Sequence, residues 1–204
     1  MLSIRRILRA NLARADRYRR HVWRAQTGAG AIEFAIIAPL VIVAIIETIQ
    51  AGCYFYQTSQ LAQATASAAR QLQIGAVGIT APTLADFRTQ ILCPRLGAGM
   101  SCASIILSIQ TVQPGTAPNG FYTYVKSDLS DIVRVATDGS QTPYCPGQSN
   151  SYVYIQAVYA MPVFSPAWIM LGRTSNGRKV HFLNASAVFR NEPFDPTAQV
   201  PAQC

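Results

Sequence analysis

The sequence predicts an α+β protein in which one long N-terminal helix precedes a small domain with an antiparallel sheet. Two observations carry this prediction. A basic N-terminus is followed directly by an uncharged apolar run, and β-rich apolar runs separated by turn residues fill the second half of the chain. The 204 residues leave room for one compact domain of ordinary size behind the helix.

The net positive charge of the chain comes almost entirely from its N-terminus. The formal net charge is +8, but residues 1–28 hold eight arginines against Asp16 alone, and the rest of the chain is nearly neutral. A nucleic-acid binder needs a basic face, so this class is excluded for the domain. A basic arm that binds RNA or DNA is disfavoured, because the next segment is too apolar for a soluble linker. Arginines that precede an apolar run stay in the cytoplasm while the following domain is translocated.

The apolar run is long enough to span a membrane. Phe34–Ile46 contains no charge and no amide, and extension to Ala31–Gly52 gives 22 residues, which cover about 33 Å of a hydrocarbon core about 30 Å thick. Pro39 removes one helical hydrogen bond and favours a kink. The extension includes three polar side chains, Glu33, Glu47 and Gln50. A carboxylate in lipid is costly and suggests function.

The helix is predicted to continue beyond the membrane. Six residues recur at spacings of 4, 3, 4, 3 and 4 and form one stripe: Tyr54, Thr58, Leu61, Thr65, Ala68 and Leu72. Two alternatives are open for the stripe: it packs only on the domain of the same chain, or it also packs on neighbouring subunits in a bundle. Gly75 and Gly78 are predicted to end the helix.

The remaining residues predict a short helix and four strands. Pro82–Leu92 has an apolar side, with Pro at an early turn. The predicted strands are Ser104–Val112, Phe121–Lys126, Ser151–Ala160 and Val180–Arg190. In the predicted strand Ser151–Ala160, both the odd and the even positions are mainly apolar or aromatic, which indicates that both faces of the strand are largely buried. Gly139–Ser151 is predicted as a loop, and Met161–Gly172 as either a strand exit or a surface loop near the bilayer.

The predicted segments therefore follow in one order along the chain. They are a basic cytoplasmic leader (1–28), a transmembrane helix (29–52), its periplasmic continuation (53–74) and a periplasmic α+β domain (75–204). This order predicts a membrane crossed once, with the N-terminus in the cytoplasm and the C-terminal domain on the other side. The family resemblance carried by residues 28–47 implies that this membrane is the bacterial inner membrane and that the domain is periplasmic.

Four of the five cysteines fall in the predicted periplasmic domain, where disulfides are permitted: Cys93, Cys102, Cys145 and Cys204. Four cysteines allow three pairings. We favour Cys93–Cys102, which closes a short turn between helix and strand, and Cys145–Cys204 then ties the tail to the Pro-rich loop. Buried, reduced thiols are the alternative. A zinc site is not expected, since there is no CxxC and no histidine near a cysteine.

Nothing in the sequence indicates an active site, a cofactor or a metal. The chain has only two histidines, His21 and His181, and lacks the common catalytic and phosphate-binding motifs. Asp128 and Asp131 are close in sequence, but such a pair is more typical of turn and cap chemistry than of a catalytic dyad. Catalysis needs convergent titratable groups.

Residues 27–34, TGAGAIEF, open the most specific motif in the chain. With the following residues, GAIEFAIIAPLVIVAIIET resembles the signature of TadE-like proteins and Flp-type pilins of the tight-adherence pilus system. The resemblance implies cleavage by a prepilin peptidase after Gly28, so that Ala29 becomes the first residue and Glu33 the fifth. Gly30 gives a second register, but it would place Glu33 third, so Gly28 is preferred. The motif residues are Glu33, Phe34, Pro39 and Glu47, and FRNEPF at 189–194 is a weaker C-terminal match.

The resemblance also implies a pilin-like fold and a function. The chain would be a non-enzymatic minor pseudopilin in pilus assembly, with the inner membrane, the prepilin peptidase, other minor pseudopilins and the major pilin as partners. Glu33 would pair with the new N-terminal amine of an adjacent subunit, or would lie solvated at the cytoplasmic headgroups. The rival hypotheses are an uncleaved membrane-anchored periplasmic adaptor and a membrane-anchored enzyme.

Overall fold

The computed structural model describes residues 27–77, 81, 83–112, 124–130, 133, 143–175 and 177–193. Two compact units are distinguished, Met1–Ile46 and Glu47–Cys204. Most of the predicted leader lies outside the described residues. The predicted fold class is confirmed: a long N-terminal apolar helix precedes a small domain with a four-stranded antiparallel sheet.

Helix α1 runs from Thr27 to Gln73 and passes through Pro39. It ends as predicted at Gly75, whose φ of 70° falls in the left-handed region that favours glycine. The Gly75 amide donates to the carbonyl of Leu72 at 3.0 Å, and the Ala76 amide donates to that of Gln71 at 3.1 Å. These two bonds form a Schellman motif, which satisfies carbonyls that a helix end otherwise leaves open. Gly78, the other predicted stop residue, lies outside the described residues.

The predicted stripe of α1 packs on its own domain. Leu61, Thr65, Ala68 and Leu72 are almost completely buried, while Tyr54 and Thr58 are half-buried. Leu61, Ala68 and Leu72 belong to one hydrophobic core with residues of the sheet and of the second helix. The periodicity therefore has an intramolecular explanation, and additional packing on neighbouring subunits stays a prediction.

The second helix begins where Pro82–Leu92 was predicted to be helical. Helix α2 covers Leu84–Asp86, continues as a π-helical turn over Phe87–Leu92 and closes as a 3-10 turn over Cys93–Arg95. The Thr83 hydroxyl caps it by accepting the Asp86 amide at 3.1 Å. Phe87, Ile91 and Leu92 are buried, as the predicted apolar side requires.

Four antiparallel strands form one sheet in the order β1-β2-β4-β3. The strands are β1 Ile105–Val112, β2 Tyr152–Pro162, β3 Arg173–Ser175 and β4 Arg178–Arg190. Three correspond to predicted strands, whereas β3 was not predicted because three largely exposed residues carry no periodic signal. Ile109 is paired with Ile155, and Ile155 with Ala187, so side chains of one parity from three strands face the core.

The predicted strand Phe121–Lys126 is wrong in its described part. Tyr124 lies in a 3-10 turn and Val125 makes only an isolated bridge, while residues 121–123 lie outside the described residues. The Tyr124 ring stacks on Tyr154 with centroids 4.4 Å apart, and its hydroxyl donates to Gln110 Oε1 at 2.9 Å. Tyr124 therefore covers the second face of the sheet instead of extending it. This cover contributes to the burial of Tyr154 on that face of β2. Burial raises the pKa of Tyr124 and of Tyr154.

The segment after β2 forms a helix that the sequence analysis did not predict. The strand exits at Pro162, and helix α3 spans Pro166–Leu171. Pro166 occupies its first turn, where a missing amide proton costs no hydrogen bond. The helix has only six residues, too few for a recognisable 3.6-residue period, which explains why it was missed.

A disulfide joins Cys93 to Cys102 across a Cα–Cα distance of 5.6 Å. It closes the connection between the second helix and β1, which is the pairing that the sequence favoured. Cys145 is also disulfide-bonded, while its predicted partner Cys204 lies outside the described residues. Cys53 is a free thiol. The predicted loop is irregular over residues 143–151, where the Tyr144 hydroxyl donates to the Ala81 carbonyl at 2.6 Å.

Candidate functional site

The first half of α1 exposes an apolar surface on all sides. Ten large side chains between Ile32 and Ile49 are 42–72% exposed. An 18-residue window of this helix has a mean hydropathy of 2.4, and none of it is buried within the protein. The helix is therefore long and apolar enough to anchor in a membrane, and the described residues leave its apolar surface uncovered.

The predicted processing and motif residues lie on this half of the helix. Gly28 and Ala29 fall in its first turn. Glu33, Phe34 and Pro39 are exposed, with Phe34 at 72%. Their side chains are therefore available to something outside the fold, and their roles in processing or assembly stay predictions. A kink at Pro39 also stays a prediction.

Glu47, the last predicted motif residue, has a different environment. The Ser165 hydroxyl donates to its Oε2 at 2.8 Å, and the Ala167 amide donates to its Oε1 at 2.8 Å. Ala167 is in the first turn of α3, where backbone amides lack helical partners. The carboxylate thus holds the start of α3 against α1, which is a structural role that the motif did not reveal.

Gln50, one turn beyond Glu47, is completely buried. Its Oε1 accepts the amide of Phe164 at 3.0 Å, and its Nε2 donates to the Met161 sulfur at 4.0 Å. A buried amide is costly without hydrogen bonds, and here each end of the side chain has a partner. Glu47 and Gln50 together hold residues 161–167 on α1; these two residues are called the helix clamp below.

Three rings pack together beside the helix clamp. Tyr54 of α1, Trp168 of α3 and His181 of β4 have centroids 5.1–5.4 Å apart, and each ring touches the other two. Two of the three contacts are edge-to-face, which is a favourable aromatic geometry. The cluster joins the three elements through half-buried side chains.

The C-terminal motif contacts the other end of α1. The Glu192 amide donates to the Gln73 carbonyl at 2.8 Å, and its carboxylate lies 3.5 Å from the Arg70 guanidinium. Asn191 is buried and its side-chain amide donates to the carbonyls of Pro146 and Gln148, both at 3.0 Å. The residues of FRNEPF that the structure describes therefore close the helix end and tie β4 to the loop.

The predicted residues thus divide into two groups with different surroundings. Glu47 and the motif residues near 191 are used for packing, whereas Glu33, Phe34 and Pro39 remain exposed. Sequence reasoning did not identify Gln50, Ser165 or Trp168 as partners. The available signal was Gln50 itself, an amide one turn after Glu47 in an otherwise apolar helix.

No group of three or more His, Cys, Asp or Glu side chains that could hold a metal ion occurs in the part of the chain that the structure describes. Asp128 is fully exposed, and hydrogen bonds from the hydroxyl and amide of Ser130 lower its pKa. Asp131 lies outside the described residues. The Asp128 carboxylate thus belongs to a turn, as the sequence predicted for it.

An exposed apolar helical segment that is followed in the chain by a small α+β domain is typical of a protein that is anchored by one helix. The model of the TadE-like protein family matches residues 28–70. The resemblance predicted from the sequence is therefore confirmed over this segment, which contains the apolar helix, the helix clamp and most of the buried stripe. No curated protein and no solved structure matches the chain.

The TadE-like match indicates a role in the tight-adherence pilus system. Proteins of the TadE-like family are components of pilus assembly, and the family is not known as a family of enzymes. A TadE-like pilus component with a helix that can anchor in a membrane implies partners in the membrane and in the pilus machinery.

The helix clamp predicts a measurable contribution to stability. We expect Gln50→Leu to lower the free energy of unfolding by about 1–3 kcal/mol, because the Phe164 amide would lose the acceptor that the completely buried Gln50 side chain provides. Gln63→Leu is the matched control, since Gln63 is exposed on the same helix and such a change is worth about 0.5 kcal/mol or less. Thermal unfolding and amide hydrogen exchange over residues 161–167 measure both effects. Equal stability of the two variants would show that the clamp is not energetically important.

Proposed function

We propose that the chain is a minor pseudopilin-like protein that acts in the assembly of a tight-adherence pilus. The observation that supports this proposal is the TadE-like match over residues 28–70, a segment whose first part exposes an apolar surface that no other described residue covers. Packing of such helices in lipid, and then against one another, is what a pseudopilin requires. The partners are other minor pseudopilins and the major pilin.

The proposed location is the bacterial inner membrane, with residues 1–28 in the cytoplasm and the domain in the periplasm. The arginine-rich leader directly before the apolar helix supports this orientation. The Cys93–Cys102 disulfide also supports it, because structural disulfides persist in oxidising compartments. The helix would cross the bilayer between residues 29 and 52, so that the helix clamp lies at the periplasmic side.

The proposed maturation step is cleavage by a prepilin peptidase between Gly28 and Ala29. Cleavage removes an extremely basic leader and creates an ammonium group at Ala29. Glu33 lies one helical turn away and is exposed. A carboxylate in an apolar environment is stabilised by a paired cation, so cleavage would provide Glu33 of a neighbouring subunit with its partner.

Removal of the gene tests the proposed function directly. Cells that carry the tight-adherence system should lose most of their pili without this chain, as counted by electron microscopy. The full-length chain supplied in trans should restore them. The control is the level of the major pilin, which should be unchanged in the membrane, since the proposed role is in assembly. Normal pilus numbers in the deletion strain would refute the proposal.

A further inference from the structure

A small apolar surface remains exposed on the domain, at residues 164–171. Phe164, Ile169, Met170 and Leu171 are 54%, 39%, 86% and 76% exposed. Single exposed apolar residues are common, but four large ones within eight positions concentrate exposed apolar surface in one short segment, which is a feature of binding surfaces. We call these four residues the apolar patch.

The patch is held in place by the rest of the domain. The helix clamp binds the backbone on both sides of Ser165, through the amides of Phe164 and Ala167. Trp168 points inward to the rings of Tyr54 and His181. Because these contacts fix α3 from one side, the apolar side chains on its other side stay exposed.

Positive charge follows the patch directly along the chain. Arg173, Arg178 and Lys179 are exposed on the hairpin that β3 and β4 form; Lys179 also donates to the Gly172 carbonyl at 3.4 Å. No Asp or Glu occurs anywhere between Pro143 and Asn191. Glu47 is the carboxylate that contacts this segment, and Ser165 and Ala167 donate hydrogen bonds to it. An apolar patch followed by several exposed cations is the combination that binds an anionic lipid surface.

The clamp residues hold the patch segment against residues 47–50 of α1. Glu47 immediately follows Ile46, the last residue of the uncharged run, and Gln50 lies within the predicted span 29–52. Both residues contact the segment that carries the patch. The patch is therefore held at the level of the last turns of the proposed span, where the hydrocarbon gives way to headgroups.

From this placement we propose that residues 164–179 form a second membrane-binding surface. The apolar patch enters the outer interfacial layer of the bilayer in which α1 is anchored, and the three cations bind the phosphates of anionic lipids. This inference rests on the proposed membrane span of α1. It adds a contact that fixes the domain on the membrane surface, and this contact must be released before the subunit can leave the bilayer.

Spin labelling of the full-length protein tests the apolar contact. In a Cys53→Ser background, single labels are placed through Met170→Cys, through Ile42→Cys in the proposed span and through Ser186→Cys on an exposed position of β4. The proteins are reconstituted in vesicles of phosphatidylethanolamine and phosphatidylglycerol. Collision rates with oxygen, which partitions into lipid, and with a water-soluble nickel chelate are compared. We expect the oxygen-to-nickel ratio at position 170 to lie between those at positions 42 and 186.

The outcomes separate this inference from the proposed span. A water-exposed label at position 170 together with a lipid-exposed label at position 42 refutes the second surface alone. A water-exposed label at position 42 refutes the span, and with it the premise of the inference. Dipolar broadening between labels at position 170, with both collision rates low, identifies a second copy as the occupant and also refutes lipid binding.

A charge variant tests the headgroup contact. We expect the combined change Arg173→Gln, Arg178→Gln and Lys179→Gln to shift the ratio at position 170 towards the value of the water control in vesicles that contain phosphatidylglycerol. The same change should have no effect in vesicles of phosphatidylcholine alone, because the cations then lack anionic partners. An unchanged ratio with phosphatidylglycerol refutes the role of the cations.

Discussion

Replacement of Gly28 by phenylalanine should abolish maturation of the chain. In cells that contain the prepilin peptidase, the wild-type protein should begin at Ala29, whereas Gly28→Phe should retain the whole leader. The expected effect is all-or-none, because the peptidase must approach the backbone closely at the residue before the cut, and a large side chain there prevents this. Intact mass and N-terminal sequencing of the purified proteins measure the difference.

Gly30→Phe is the matched control for this experiment. A Cβ added at Gly30 would have no atom of the described structure within 4 Å, so this exposed helical position has open space for a side chain. We expect it to leave cleavage after Gly28 intact. Cleavage that is blocked only by Gly30→Phe would assign the site to Gly30. A wild-type chain that retains Met1 beside an active peptidase would contradict processing altogether and support the uncleaved periplasmic adaptor.

Glu33→Ala should weaken association of the mature chain with a neighbouring subunit by about 1–3 kcal/mol, or about 5- to 150-fold in affinity. The physical reason is that the ammonium group of Ala29 in the neighbour would lose its carboxylate partner in an environment of low dielectric constant. Glu33→Gln keeps the shape of the side chain and removes its charge, so this variant should associate nearly as weakly as Glu33→Ala. Co-purification of two differently tagged copies from detergent measures association.

The uncleaved Gly28→Phe chain makes this test specific. Without cleavage there is no ammonium at Ala29, so Glu33→Ala should have little additional effect in that background. The two changes are therefore expected to be strongly non-additive, which is the signature of a direct pair in a double-mutant cycle. Additive losses would argue against the ion pair, and normal association of mature Glu33→Ala would remove it from the mechanism. Thermal unfolding should be unchanged throughout, since Glu33 is exposed.

The sequence by itself determined the parts of this protein that depend on local pattern. The apolar run, the stripe from Tyr54 to Leu72 and the stop at Gly75 all follow from composition, period and backbone freedom over adjacent residues. The runs that became β1, β2 and β4 were identified for the same reason, because long apolar β-branched runs form strands in most contexts. The TadE-like motif is contiguous, so it too was visible in the sequence.

Only the tertiary structure decided what the polar residues at the end of the apolar run do. Glu47 belongs to the motif, yet its carboxylate binds Ser165 and Ala167, more than a hundred positions away along the chain. In the sequence, Gln50 is a polar residue that interrupts the apolar segment. In the structure, its side chain is completely buried and forms hydrogen bonds. Such contacts depend on how β2 exits the sheet, which no local period encodes.

The same reason explains the wrong strand and the missed helix. Tyr124 lies in a segment with a strand-like sequence, but in the structure its ring stacks on Tyr154, on the face of the sheet. Helix α3 is too short to have a periodic signal and is held by the clamp and by the contacts of Trp168. Local sequence determines the secondary structure of elements that are long enough for their pattern of apolar residues to repeat. The conformation of short elements and the surroundings of buried polar groups depend instead on contacts with distant parts of the chain.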